Sequence, residues 1–184
     1  STAVGAYAGS CMTTGVYNTA IGYASQNYTT TGGGNTSLGY QALYLNNESS
    51  AAHNTAVGSF AMVNNSHGGC NVAVGTCSLC SNTTGGNNSA CGKDALGANT
   101  TGDFNTALGK DALRDNTTAD NNTAIGHDAL QANTAAENTA VGSNSLVTNT
   151  TGTKNAALGA WSLRFNTTGD FNTAAGYQAL TANT

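Results

Sequence analysis

The chain has no proline, and only 8% of its residues are charged. Chains that stay disordered in water are typically rich in both and poor in aliphatic residues. Here the aliphatics recur at fixed places, so low complexity reflects a repeated structure. Basic residues are scarce as well, 5 Lys and Arg against 9 Asp and Glu, for a net charge of -4. No basic patch therefore supports nucleic-acid binding. No run of about 18 apolar residues exists, which excludes insertion of a membrane-spanning helix. An initiator Met and a signal peptide are absent, and the chain begins at a repeat boundary and stops within a copy. It reads as a segment of a longer, processed or truncated protein.

What the chain has in excess is Asn, Thr, Ala and Gly, and their order is periodic. The run from Asn105 to Asn121 serves as a template, N-T-A-(V/I/L)-G-x-x-A-L-x-x-N-T-T-G-x-x. Copies start at Ser1, Asn18, Asn35, Asn54, Asn71, Asn88, Asn105, Asn122, Asn138, Asn155 and Asn172 with a period of 17 residues; the copy from Asn35 carries two extra residues and that from Asn122 lacks one. A fixed short period means that each copy is one structural unit stacked on its neighbours. The expected fold is all-β, a β-solenoid or β-roll of about eleven coils forming one domain over residues 1–184.

Within a copy, T-A-V-G suits a short strand, x-A-L-x is expected to form a second one, and N-T-T-G reads as a turn. Gly recurs at the fifth position of every copy: Gly5, Gly22, Gly39, Gly58, Gly75, Gly92, Gly109, Gly126, Gly142, Gly159 and Gly176. Such a position needs positive φ or admits no side chain where another backbone approaches. With a strand spacing of about 4.8 Å per copy the coils make a rod roughly 50 Å long. Thr2, Thr19, Thr36 and Thr55 begin one column, and Asn46, Asn65, Asn82, Asn99, Asn116, Asn133, Asn149 and Asn166 form another. Stacked Asn amides bond from rung to rung. The extra residues of the copy from Asn35 are expected in a protruding loop around Glu48 to Ala52, with Gly39 and Gly58 still in line.

Neighbours in a strand point to opposite faces. On that rule Ala107 and Ala112 share one side of a coil and Leu108 and Leu113 the other, leaving one apolar stripe outside. Long exposed stripes are uncommon on monomers, so chains are expected to associate side by side.

The T-A-(V/I/L)-G rungs resemble the left-handed parallel β-roll heads of trimeric bacterial autotransporter adhesins. The full run N-T-A-x-G-x-x-A-L-x-x-N-T-T-G is more similar still to repeat arrays of phage tail-fibre and related surface proteins, which often precede an endosialidase-type intramolecular chaperone. The resemblance covers Ser1 to Thr184, although the adhesin heads have a shorter unit, and neither a chaperone, a coiled-coil stalk nor an anchor occurs in this sequence. It implies a homotrimeric fibre, extracellular or on a cell or virion surface, with a cell-surface glycan or protein as a further partner. The rival readings are an ice-binding solenoid with Thr columns and a self-assembling filament subunit.

No convergent catalytic constellation stands out, so the expectation is a non-enzymatic protein without a cofactor. His53, His67 and His127 lie far apart in the register and form no metal-type motif; the first two suit solvated loops. Asp94, Asp111 and Asp128 occupy one place on three consecutive rungs, beside Lys93, Lys110 and His127. A cation such as Ca²⁺ could bridge that column, but the neighbouring lysines offset it, and the reading preferred is a solvent-exposed charge strip with no metal. Cys11, Cys70, Cys77, Cys80 and Cys91 include one C-x-x-C, Cys77 to Cys80, without the second pair or βαβ context of a zinc or redox site; cysteine there replaces other small residues, as Cys91 replaces Val or Ile. The odd number of thiols leaves one free or in an intermolecular bridge. Asn27, Asn47, Asn82, Asn99, Asn116, Asn149 and Asn166 begin N-x-S/T triplets, glycan acceptors in a secreted eukaryotic protein, but most follow from the N-T-T turn and are read as structural. Tyr40, Tyr44, Phe60, Phe104, Trp161, Phe165, Phe171 and Tyr177 fall at variable positions, where they either stack on sugars or a partner or pack the thin core and chain contacts.

Overall fold

The computed structural model describes residues 1–47 and 50–183. Each copy contributes one three-residue strand: β1 (Thr2–Val4), β2 (Thr19–Ile21), β3 (Thr36–Leu38), β4 (Thr55–Val57), β5 (Val72–Val74), β6 (Ser89–Cys91), β7 (Thr106–Leu108), β8 (Thr123–Ile125), β9 (Thr139–Val141), β10 (Ala156–Leu158) and β11 (Thr173–Ala175). They pair in sequence order as one parallel sheet. Like stacks on like: Thr106 lies beside Thr123, Ala107 beside Ala124 and Leu108 beside Ile125. The fold is therefore a parallel β-solenoid, and no helix long and apolar enough to cross a membrane occurs among the described residues.

The central strand residue points inward and its two neighbours outward, so Ala107 is buried between exposed Thr106 and Leu108. Gly109 then turns the chain at φ +138°, where a Cβ would stand only 2.6 Å from the carbonyl carbon of Gly126 on the next rung. Both reasons for glycine hold at once, an unfavourable φ for side chains and a backbone with no room for one.

The second apolar segment is not the strand expected of it. Asp111 and Leu113 both have positive φ, 57° and 51°, and the N–H groups point to opposite neighbours: Asp111 donates back to the Lys93 carbonyl and Leu113 forward to that of Ala129, each at 3.0 Å. Ala112 and Arg114 close tight turns onto Gly109 and Asp111 at 3.4 and 3.3 Å. The opposite-face rule assumes extended φ/ψ, and here it fails: Ala112 and Leu113 are both completely buried. The expected division of Ala107 with Ala112 against Leu108 with Leu113 is thereby corrected. Ala107, Ala112 and Leu113 fill the coil, and only Leu108 faces out.

Leu43, Met62, Leu79, Leu96, Leu113, Leu130, Leu146 and Leu163 form the core column, each contributing about 1.5–3 kcal/mol of burial relative to exposure. Two rungs differ. The first carries Gly9 at this place and the second Gln26, whose amide donates to the Ser37 hydroxyl at 2.9 Å and the Thr19 carbonyl at 3.0 Å.

Two buried asparagine columns secure the turns. Asn88 and Asn99 both donate to the Gly102 carbonyl, at 2.8 and 3.0 Å. Asn99 also donates to Asn82 at 2.9 Å and so continues the expected amide ladder. The strand-entry column adds a second ladder, in which the backbone N–H of Asn105 donates to the Asn88 side-chain oxygen at 2.9 Å. Hydroxyls of turn threonines follow suit, Thr83 to the Thr100 carbonyl and Thr100 to that of Thr117, both at 3.0 Å.

Both irregular copies adjust within this turn. Thr36 still pairs with Thr55 across the long copy, and Thr123 with Thr139 across the short one. Glu48 and Ser49, the front of the expected loop, lie outside the described residues. Its far end is corrected: Ala51 is completely buried, and its carbonyl receives the Asn46 and Asn35 amides at 2.8 and 3.1 Å. Ala51 takes the place of the turn Gly, so the surplus lies between Asn46 and Ala51.

Candidate functional site

Two surfaces of the coil stand out. The first is the outer face of the sheet, where every copy presents its first and third strand residues. The third residues make an aliphatic column from Val4 (57% exposed) through Leu108 (47%) to Leu158 (47%). Cys91 replaces an aliphatic in it and is exposed. Beside it runs the strand Thr column, interrupted by Val72, Ser89 and Ala156.

The second surface is the strip formed by the two residues after each glycine of the fifth-position column, where the repeat leaves side chains free to vary. On the first four rungs it is aromatic. Tyr7 meets Tyr23 edge-on at 5.7 Å between ring centres, Tyr23 stacks on Tyr40 at 5.4 Å, and Tyr40 meets Phe60 edge-on at 5.2 Å. Near the other end Trp161 stacks on Tyr177 at 5.8 Å, with the Arg164 guanidinium 4.9 Å from the Trp161 ring. The stacked rings turn faces to one another along the axis, so Tyr23 and Tyr40 present edges to solvent where a sugar would need a face. Phe104 and Phe171 lie outside this strip and are exposed, and Lys154 stands 5.3 Å from the Phe171 ring centre. Tyr44 packs against Tyr28 at 5.0 Å.

Between the aromatic segments the same strip is ionic. Lys93 pairs with Asp94 at 3.0 Å, Lys110 with Asp111 at short range, and His127 Nδ1 with Asp128 at 3.1 Å. Asp94, Asp111 and Asp128 all have positive φ, 56°, 57° and 56°, a conformation Asp tolerates better than most residues. The Asp111 hydrogen bond holds the Lys110 ammonium above its ordinary pKa, with further attraction from Asp111, Asp128 and Asp94. Of the three aspartates in the sequence column, Asp111 and Asp128 come together, and His127 joins them: the three offer ligand atoms all within 4.8 Å of one another. No metal-type motif along the chain marks this group, because Asp111 and His127 are brought together only by the stacking of neighbouring rungs.

His53 and His67 are exposed, as expected of solvated residues. Among the N-x-S/T asparagines, Asn82, Asn99, Asn116, Asn149 and Asn166 are completely buried, so the folded chain offers no access to their amides. Burial, with a contribution from Cys77, pushes the Cys80 thiol up to about 11, which leaves it protonated and a poor nucleophile near neutral pH. A second set of carboxylates escaped the sequence reading. Asp103 accepts the Gly86 N–H and Asp120 that of Asp103, both at 2.7 Å, and Asp170 accepts that of Thr153 at 2.6 Å. These bonds from Thr153 hold the Asp170 carboxyl below the ordinary carboxylate range. The only sequence signal for them was the recurring Asp two residues before the strand-entry Asn. Comparisons of this chain with protein-family models, curated proteins and solved structures gave no match.

Proposed function

We propose that the chain is a stretch of a non-enzymatic fibre, a homotrimer of solenoids packed through their sheets and projecting from a virion or cell surface. The observation that carries this reading is the aliphatic column on the outer sheet face. In one chain it leaves Val4, Ile21, Leu38, Leu108 and Leu158 more than a third exposed, a continuous patch that monomers seldom keep in water. Three copies around one axis would bring their columns together along that axis and cover them. The rod then acts as a stiff spacer or adhesive shaft. Contacts with a glycan or protein receptor, weak singly, gain strength from being presented in multiple copies.

Cys91 supplies the test, since it stands within the column between Val74 and Leu108. In a variant with Cys11, Cys70, Cys77 and Cys80 changed to Ser, a short bismaleimide should join chains through Cys91. Light scattering should give about three chains. A stable monomer at micromolar concentration, with its β signal intact and no cross-link, would overturn the proposal.

A specific observation also favours the second reading, ice binding: the Thr and aliphatic columns lie side by side on one sheet face. The turn threonines do not add to it, because hydroxyls such as those of Thr83 and Thr100 donate to backbone carbonyls. Thermal hysteresis by the monomer would favour this reading over the fibre.

A further inference from the structure

We propose that Asp111, His127 and Asp128 form a binding site for a divalent transition-metal ion, of which Zn²⁺ is the best match. Their ligand atoms all lie within 4.8 Å of one another. Around a tetrahedral zinc ion, with N and O ligands at about 2.0–2.2 Å, ligand atoms stand about 3.4 Å apart. His127 Nδ1 and Asp128 Oδ2 already stand 3.1 Å apart. One imidazole and two carboxylates is a donor set that suits Zn²⁺, whereas Ca²⁺ and Mg²⁺ take oxygen ligands.

The neighbouring rungs show why the site is confined to this place. Rungs six and seven carry Lys93 and Lys110 before their aspartates, and each ammonium pairs with its own carboxylate. An ammonium has three donors and no lone pair. At rung eight the same position is His127, whose neutral ring offers a lone pair, so the self-neutralised pair of the other rungs becomes a ligand pair. Asp111, one rung back, supplies the third donor.

The ligands are also held. Asp111 and Asp128 donate their N–H groups to the Lys93 and Lys110 carbonyls at 3.0 and 3.1 Å, which fixes both left-handed backbones. Gln131 donates to Asp128 Oδ1 at 3.0 Å and leaves Oδ2 facing His127. Such outer hydrogen bonds orient metal ligands. Metal entry displaces Lys110 from Asp111, and the half-exposed lysine side chain has solvent to move into. Three protein ligands leave the remaining coordination to water.

The test is calorimetric titration of the full chain with Zn²⁺ and, separately, Ca²⁺. Two variants borrow the neighbouring rungs' own residues and so keep the fold: His127→Lys reproduces rungs six and seven, and Asp128→Asn reproduces rung nine, where Asn144 has the same left-handed φ of 56°. The expected result is one Zn²⁺ site in the parent chain, weakened at least about tenfold in both variants, with no comparable uptake of Ca²⁺. Circular dichroism should show unchanged melting of the metal-free variants. Zinc binding equal in all three chains would place the metal on the thiols and overturn the assignment, as would a parent chain that binds none.

Discussion

Asn99 has both of its amide hydrogens engaged, one by Asn82 and one by the Gly102 carbonyl, while its oxygen accepts from Asn116 at 3.1 Å. Removing that amide leaves the buried Asn82 oxygen unpaired, at about 1–3 kcal/mol, and takes one bond each from the Gly102 carbonyl and the Asn116 amide, which keep Asn88 and Ala119 as partners. Asn99→Ala should therefore lower the unfolding free energy by at least about 2 kcal/mol, read from urea denaturation followed by circular dichroism. A loss of a few tenths would mean that water replaces the ladder at little cost. Gly109→Val strains a different part of the rung, forcing a side chain at φ +138° against the Gly126 carbonyl. Its expected cost is on the order of 1–3 kcal/mol per chain, and an unchanged melting temperature would show that the rungs can spread to admit a side chain. Both columns were legible in the sequence because one residue type recurs at one place. The convergence of Asn88 and Asn99 on a single carbonyl was not, since it joins positions distant in the repeat. Nor was the Gln26–Ser37 pair, in which each polar residue interrupts an apolar column and bonds to the other.

At the scale of the element, the T-A-V strands were readable from β-branched composition, but the segment around Ala112 and Leu113 was misread. Two adjacent apolar residues resemble a strand buried on both faces, and nothing in leucine announces positive φ. The one available hint was Asp94, Asp111, Asp128 and Asn144 two residues after the glycine, types that tolerate the left-handed region. The turns gave clearer signals, and their length defects have structural consequences. In the copy of sixteen residues Asn133 reaches the Ala135 carbonyl at 2.6 Å, one residue sooner than its counterparts. The amide ladder breaks there: buried Asn116 Oδ1 has no donor and Asn122 Nδ2 no acceptor. Inserting Thr after Thr134 recreates the spacing of Asn116 to Asn122 and should pair both atoms. The expected gain is about 1–3 kcal/mol, visible as a higher melting temperature in calorimetry. A variant no more stable than its parent would mean that the two orphaned groups cost the fold nothing.

For the whole molecule, the period told the number of coils and their stacking, because a repeat fixes its own neighbours. It could not tell which columns face outward, which depended on the misread segment. Each strand pairs only with those of the preceding and following copies, so stability should be close to a sum of coil terms and nearest-neighbour contacts. This makes a prediction that an ordinary globular domain would fail. Removing Asn88 to Phe104, one complete copy, joins Asn87 to Asn105 and brings β5 against β7. Val72 then meets Thr106, Ala73 meets Ala107 and Val74 meets Leu108, which preserves the inward and outward columns, and Asn82 finds Asn116 in place of Asn99. The shortened chain should fold, with a rod about 4.8 Å shorter by small-angle scattering and a slightly lower melting temperature. Removing only Asn88 to Leu96 deletes part of a copy, sets unlike positions against each other and exposes apolar faces; that variant should lose its β signal. If the complete-copy deletion failed as badly as the partial one, the coils would not be interchangeable, and the molecule's stability would depend on some specific contact within the copy from Asn88.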